Sequence, residues 1–290
     1  LLNILHYFAT IGGFELLQTA ERYQFDGGFY ELCRRLAERL GNRVHLATPV
    51  RAIDYSAEDK VIVHADGLRI EASECIVAMA PFDARFIAFS PPLPSRREYI
   101  HRNYQTVNVI KVFAVYEEPF WRTDGLSGVC YSDRPLATFA LDSSPADGQP
   151  GVLMTYASVA GDGLWAVPDA LADDPVARRA AVLESFAAYF GPRALHPIQY
   201  IEYDWHDVSY TGGVITTMPP GFLTRARDAL TRPVGRIHWC HAELASHWGL
   251  GVWVNGGVQY AQSVAGIVDE RLQQRPGEAA GGERVAASVG

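Results

Sequence analysis

Apolar residues recur along this chain at two spacings, and the places where one gives way to the other divide it into elements. Residues 1–20 are apolar with helical spacing. After Gly27 and Gly28, the residues Phe29, Leu32, Leu36 and Leu40 predict a helix from 29 to 40, with Gly41 as its C-cap. Short β-type runs follow at 43–48, 51–55, 60–65 and 74–80. Asp66 and Gly67 sit between Val61, Ile62, Val63 and Leu68, Arg69, Ile70, which predicts a hairpin with a tight turn. Pro91, Pro92 and Pro94 mark a loop. Further strands are predicted at 106–116, 128–131, 137–141, 152–158, 197–205 and 235–241. Asp174 and Pro175 open a helix whose buried stripe is Val182, Leu183, Phe186 and Phe190, and Gly191 with Pro192 ends it. A closing helix spans 256–275, with Val264, Ile267, Val268 and Leu272 inward. The β-runs between 106 and 205 read as one antiparallel sheet, and the flanking pieces as parts of another domain.

The strand at 106–116 carries the most informative position. Alternate side chains share a face of a strand, so Lys111 lies with Val107, Val109, Phe113 and Val115, and Asn108 on the other side. An ammonium on an apolar face must find a partner, reach solvent or lose its proton. A lysine bent to a carboxylate at a sheet edge satisfies the pattern too.

Composition narrows the classes. The 290 residues suffice for one large domain or two, and 48% apolar with 20% charged residues is ordinary for a globular protein. A net charge of −8, with no block of Lys and Arg, disfavours a nucleic-acid or anionic-membrane surface. No apolar run approaches the roughly 18 residues of a membrane span. Cys33, Cys75, Cys130 and Cys240 are scattered, with no C-x-x-C pair, which fits a reducing compartment and a cytoplasmic location. The chain opens as if in mid-helix, with no initiator Met, so a fragment, a processed chain or half of a split enzyme is expected.

Several segments can carry chemistry. Gly256 and Gly257 open the last helix, where free N–H groups favour negative charge; tight helix–strand packing explains them equally well. Tyr210, Thr211, Gly212 and Gly213 with Pro219, Pro220 and Gly221 form a glycine–proline loop or an ordinary turn. His238, His241 and His247 with Glu243 invite a metal reading, but 238 and 241 fall on opposite faces of the strand, and no metal is expected. G-x-S-x-G, the P-loop and G-x-G-x-x-G are all missing from the sequence.

In order along the chain stand Phe25, Asp26, Gly27 and Gly28; the run 43–50; Ile76 to Pro81; Val109, Ile110 and Lys111; Glu118, Pro119, Phe120, Trp121 and Arg122. Then come Tyr210 to Gly213; Pro219, Pro220 and Gly221; Pro233 to Arg236; and Ala242 and Glu243 with Trp248. In these segments the chain resembles the flavin-dependent monoamine oxidase family (flavin amine oxidases), over about residues 1–272 and matching the C-terminal two thirds of such an enzyme. The resemblance implies an α/β plus α+β fold: a partial FAD-binding domain interleaved with a substrate domain built on a mixed or antiparallel sheet flanked by helices. It assigns 26–100 and 209–272 to the flavin domain, and 1–25 and 101–208 to the substrate domain. The tail, 276–290, is expected to be disordered.

By the same resemblance, Lys111 is the catalytic residue that holds a water beside flavin N5. Val50, Trp205, Ala242, Glu243, Val254 and Gly256 are cofactor positions. Leu16, Leu17, Ile215 and Trp253 line the substrate pocket. The implied reaction moves a hydride from the carbon beside an amine to FAD, gives an imine, and releases hydrogen peroxide when oxygen reoxidises the flavin. The substrate is then a small-molecule amine or amino acid. Val214 replaces the cysteine that tethers flavin in some members, so FAD is expected to be non-covalent. Ile215 removes half of the aromatic substrate cage, which leaves a flavin oxidase or desaturase of a non-amine as the alternative, beside an inactive remnant or binding partner. The dinucleotide-binding unit that binds the pyrophosphate is expected from a partner chain or from sequence ahead of residue 1. No nucleic-acid partner and no membrane anchor are expected.

Overall fold

The computed structural model describes residues 25, 27–107, 109–132, 136–158, 171, 173–205, 207–212, 214–244, 254–274 and 285–286. They form two compact units, one of residues up to Tyr104 together with those from Met218 onward, the other Gln105–Thr217. The expected class holds: a mixed sheet and helices in one unit, an antiparallel sheet covered by a helix in the other.

In the first unit, α1 (Tyr30–Leu40) leads into β1 (Val50–Asp54), β2 (Val61–Ala65) and β3 (Leu68–Ala72), an antiparallel meander. The β2–β3 hairpin is the one expected. Ala65 faces Leu68, and Gly67 makes the turn at φ 69°, a left-handed value that glycine adopts without strain. The strand expected at 43–48 does not form. Gly41–Arg43 makes a 3-10 turn, Ala47 takes φ 53°, and Leu46 is left exposed, so this stretch offers no apolar face to a sheet. After β4 (Cys75–Val77), Pro81 starts the one-turn helix α2 (Pro81–Ala84) and cuts short the strand expected to reach residue 80. β5 (Ala88–Ser90) joins the meander parallel to β1.

Helix α3 (Ser95–Asn103) and the later α6 (Phe222–Thr231) pack together over this sheet; neither was expected. α3 is rich in Arg with few apolar positions, so its periodicity is faint, whereas α6 buries Phe222, Ala226 and Leu230 at helical spacing. A buried polar cluster ties the two helices together. Arg97 is 2% exposed, and its guanidinium lies 3.5 Å from the ring centre of Trp239. It donates to the Leu230 carbonyl at 2.8 Å, at the C-terminal end of α6, and to His101 Nε2 at 3.1 Å. Cations at helix C-termini are favourable, and here the charge also satisfies a terminal carbonyl.

In the second unit, the run expected as one strand divides. β6 (Gln105–Val107) pairs with β12 (Val214–Thr217), whereas β7 (Val109–Tyr116) is central in a five-stranded antiparallel sheet. Its companions are β8 (Cys130–Tyr131), β9 (Phe139–Asp142), β10 (Gly151–Ser158) and β11 (Gln199–Asp204), in the order β11-β7-β10-β9-β8. A short helix, α4 (Phe120–Thr123), follows β7. Helix α5 (Pro175–Phe190) starts as predicted: the Asp174 carboxylate accepts from the N–H groups of Val176 and Ala177. Val182, Leu183, Phe186 and Phe190 are buried against Ile110, Val112, Ala114 and Leu153 of the sheet. Arg178, on the same helix, pairs with Glu202 of β11 at 2.7 Å.

The chain returns to the first unit through α6 and β13 (Ile237–Trp239), which lies parallel to β4. Helix α7 (Val254–Gln273) closes it. Only Gly256 and Val264 are buried on α7; Ile267 and Leu272, expected inward, are exposed, because among the described residues the helix packs chiefly on the turn after β13. Helix α1 keeps its expected spacing but has no buried residue. At the tail, β14 (Val285–Ala286) pairs with β3, so the expected disorder does not hold for these two residues; the described chain otherwise stops at 274. The helix expected at 1–20 lies outside the described residues.

The buried cluster generates a pH prediction. Burial, and then the neighbouring Arg97 charge, hold the His101 imidazole down to about 3. An unfolded histidine takes its proton near 6.5. Below that pH the unfolded chain therefore binds the extra proton, and stability present above about 6.5 is lost as pH falls toward about 3. At pH 5 the loss is about 2 kcal/mol from this residue. Thermal unfolding from about pH 7 down to about pH 5 should show a smaller fall in Tm for His101→Gln than for the parent.

Candidate functional site

The two faces of β7 differ in kind. Ile110, Val112, Ala114 and Tyr116 alternate into the core beneath α5, each 4% exposed or less. Lys111, Phe113 and Val115 alternate onto the opposite, half-buried face, with Val109 buried at its start. This is the alternation expected from sequence for Val109, Phe113 and Val115. Val107 belongs to β6, and Asn108 lies outside the described residues.

Register supplies the rest of this face. Lys111 stands opposite Tyr156 of β10 on one side and Tyr203 of β11 on the other. Phe113 stands opposite Met154 and Ile201. Residues directly opposite in an antiparallel ladder share a face, so the ammonium is surrounded by apolar and aromatic groups. Lys111 Nζ lies 5.2 Å from the Phe113 ring centre and 5.6 Å from that of Tyr156, within cation–π range. Trp205, just past β11, meets Tyr203 edge to face at 4.8 Å, and its backbone N–H donates to the Val109 carbonyl. The neighbouring acid Glu202 points to the other face, where Arg178 and the Tyr200 hydroxyl hold it.

Lysine is scarce in this chain. Among 25 basic residues there are two lysines, Lys60 and Lys111. Lys60 is exposed on β2 and pairs with Glu71 at 3.1 Å, an ordinary surface bridge. Lys111 is the one lysine of the second unit.

The first unit offers a different kind of site. β4 and β13 are parallel, and ligands of open α/β sheets gather at the carboxyl ends of such strands. After β13 the chain passes through Cys240 and His241 into a 3-10 turn, Ala242–Leu244, against the start of α7. Gly256 is buried there. A Cβ at Gly257 would stand 3.3 Å from the Ala242 Cβ, so glycine sets how closely turn and helix approach. Twenty residues of helix aim their unbonded first-turn N–H groups at this end. Backbone donors, small residues and parallel strand ends are the chemistry that holds a phosphate-bearing dinucleotide, and FAD fits them. Glu74, its side chain 2% exposed, anchors the far end: it accepts from Arg236 Nη1 at 2.9 Å, bonds His238 Nε2 at 2.9 Å and faces Arg271 of α7 at 3.4 Å.

The positions predicted from sequence fall as follows. Lys111 lies on β7 and Trp205 just past the end of β11; the two strands are four apart in chain order but neighbours in the sheet. Ala242, Glu243, Val254 and Gly256 gather where the turn meets α7; Val254 is exposed, and of Glu243 only the backbone is described. Val50 is the first residue of β1, opposite Ala65, in a separate sheet. Ile215 lies in β12 where its register with β6 shifts, and its side chain is not among those described. Leu16, Leu17 and Trp253 lie outside the described residues. Sequence reasoning missed Tyr156 and Tyr203, whose place beside Lys111 depends on ladder register. Among the described residues there is no cluster of ligands that could hold a metal ion, and no helix is long and apolar enough to cross a membrane.

Comparison with known proteins gives the family and the fold. The model of the flavin containing amine oxidoreductase family matches residues 5–268. The chain is 31% identical over 270 residues to the flavin-containing amine oxidase B of Bos taurus, covering 90% of this chain and 50% of the relative. It is 35% identical over 226 residues to an L-amino acid dehydrogenase of Synechocystis, covering 77% and 46%. Its fold matches a structure of wild-type putrescine oxidase bound to putrescine with a TM-score of 0.83 at 33% identity, over 93% of this chain and 60% of that one. The chain thus spans about half the length of the curated relatives it matches. With the motifs in order, the lysine on its strand and the glycines at the helix start, the chain belongs to the flavin containing amine oxidoreductases.

Proposed function

We propose that the protein takes part in FAD-dependent oxidation of an amine or amino acid, with the Lys111 face of the antiparallel sheet as its reaction face. The observation that carries this reading is a single ammonium held on an aromatic wall, in a chain that otherwise uses arginine for nearly all its positive charge.

Bound non-covalently, the flavin would take up the hydride and pass its electrons to oxygen. The chain's residues supply place and charge. Phe113, Tyr156, Tyr203 and Trp205 give an apolar surface on which a substrate body is packed and water is excluded. Lys111 Nζ has three donors; it orients a water and stabilises negative charge that develops on oxygen. The first-turn N–H groups of α7 and the turn at Ala242 bind the cofactor's phosphate side. Val214, where a tethering cysteine would stand, supports non-covalent binding. The pair β4–β13 has two strands among the described residues, fewer than a parallel sheet needs to be stable. Further strands, from this polypeptide or a partner chain with a dinucleotide-binding unit, complete it in this reading.

Two experiments test these roles. In flavin-loaded protein, Lys111→Met should slow peroxide release by about 10²-fold or more while flavin stays bound, as expected for loss of a preorganised charge. Unchanged turnover would remove Lys111 from the reaction, and peroxide formed from ring or polyene compounds but from no amine would replace the amine reading. Gly257→Val should push α7 away from Ala242 and lower the flavin content of the purified protein severalfold, read from its visible absorbance. Full flavin content in that variant would show that this approach does not form the cofactor site.

A further inference from the structure

Lys111 is flanked in register by two tyrosines, and two rings lie within cation–π reach of its nitrogen. Its nitrogen lies within cation–π range of Phe113 and Tyr156. Tyr203, equally opposite in the ladder, instead turns its ring to Trp205. Tyr156 is itself braced: Phe139 meets its ring edge to face at 5.2 Å, and Tyr131 stacks on Phe139 at 6.4 Å. Phe113 stands opposite Met154 and Ile201 in the ladder. The flexible four-carbon stem of Lys111 thus ends near two rings, one of them braced by neighbouring aromatics.

We propose that Phe113 and Tyr156 are positioning residues, whose π faces hold the Lys111 ammonium toward the β10 side of the sheet. The part played in oxidation rests on the function proposed above; the placement of the ammonium does not. The active element is the ring, so phenylalanine serves at 156 as well as tyrosine.

The two-lysine composition makes a direct test possible on the chain as it exists. Lys60, exposed and in the other unit, is an internal reference for labelling by an amine-acylating reagent, with the ratio of Lys111 to Lys60 product read by peptide mass spectrometry. Tyr156→Leu and, separately, Phe113→Leu should raise that ratio by about three- to tenfold, the range a partly desolvated cation–π contact implies. Tyr156→Phe should stay within about twofold of the parent, and so should Tyr203→Leu. Circular dichroism selects the variants that remain folded; the two leucine variants act on separate strands, so either one suffices. An unchanged ratio in the folded leucine variants overturns the placement. So does a Tyr156→Phe ratio equal to that of Tyr156→Leu, which would assign the contact to the hydroxyl, or a Tyr203→Leu ratio as high, which would reduce it to general cover. A raised ratio beside unaltered peroxide release in the flavin-loaded protein supports the placement and sinks the oxidase role alone.

Discussion

A positive charge on a half-buried sheet face is the constraint on which the second unit depends. Burial without compensation would cost several kcal/mol, and an aliphatic wall offers none. The sheet answers with quadrupoles. Phe113 lies two residues along the same strand and Tyr156 directly across the ladder, so both rings reach the same nitrogen. This arrangement needs a rigid register, and the other face of the sheet provides it. There α5 covers Ile110, Val112 and Ala114, and the Arg178–Glu202 bridge ties helix to edge strand, with side chains 8% and 16% exposed. A one-residue slip of β10 would replace Tyr156 by a core residue and send the tyrosine into the helix.

The first unit is built differently, and in the function proposed for it uncharged backbone donors would face the cofactor's phosphates. Its means are a parallel strand pair, a turn with a small residue, and a long helix whose first turn carries Gly256 and Gly257, the second close against Ala242. The framework around them is held by buried charge. Arg97 joins α3, α6 and β13 through a carbonyl, an imidazole and the Trp239 ring, and Glu74 gathers Arg236, His238 and Arg271. Removing Arg97 would leave the Leu230 carbonyl without this donor, and removing Glu74 would take the carboxylate from the buried His238, losses that cost more than the contacts themselves contribute.

Much of this was legible in the sequence, for physical reasons that differ by element. Asp174 with Pro175 marked α5 because cap chemistry is local, and its buried stripe followed from period alone. Asp66 with Gly67 marked a hairpin for the same reason. Lys111 stood out because strand alternation puts it among apolar neighbours. Tyr156 and Tyr203 could not be found this way, since the ladder that brings them to Lys111 joins residues far apart in sequence. Helix α3 was hidden because its one fully buried aliphatic residue, Ile100, makes no stripe, and Arg97 ties it to α6; α6 itself carries the stripe Phe222, Ala226 and Leu230, which sequence reasoning missed. The run at 43–48 looked like a strand only because its residues alternate; the chain there turns instead. The single run 106–116 concealed the change of sheet between β6 and β7.

The central claim is spatial: the aromatic face around Lys111 is where oxidation takes place. A crystal structure of the flavin-loaded protein tests it most directly. The account predicts that the electron density of the isoalloxazine ring lies over this face, with the Lys111 nitrogen turned toward it and Trp205 beside it. An isoalloxazine ring bound elsewhere, with the Lys111 nitrogen directed into bulk solvent, would contradict it.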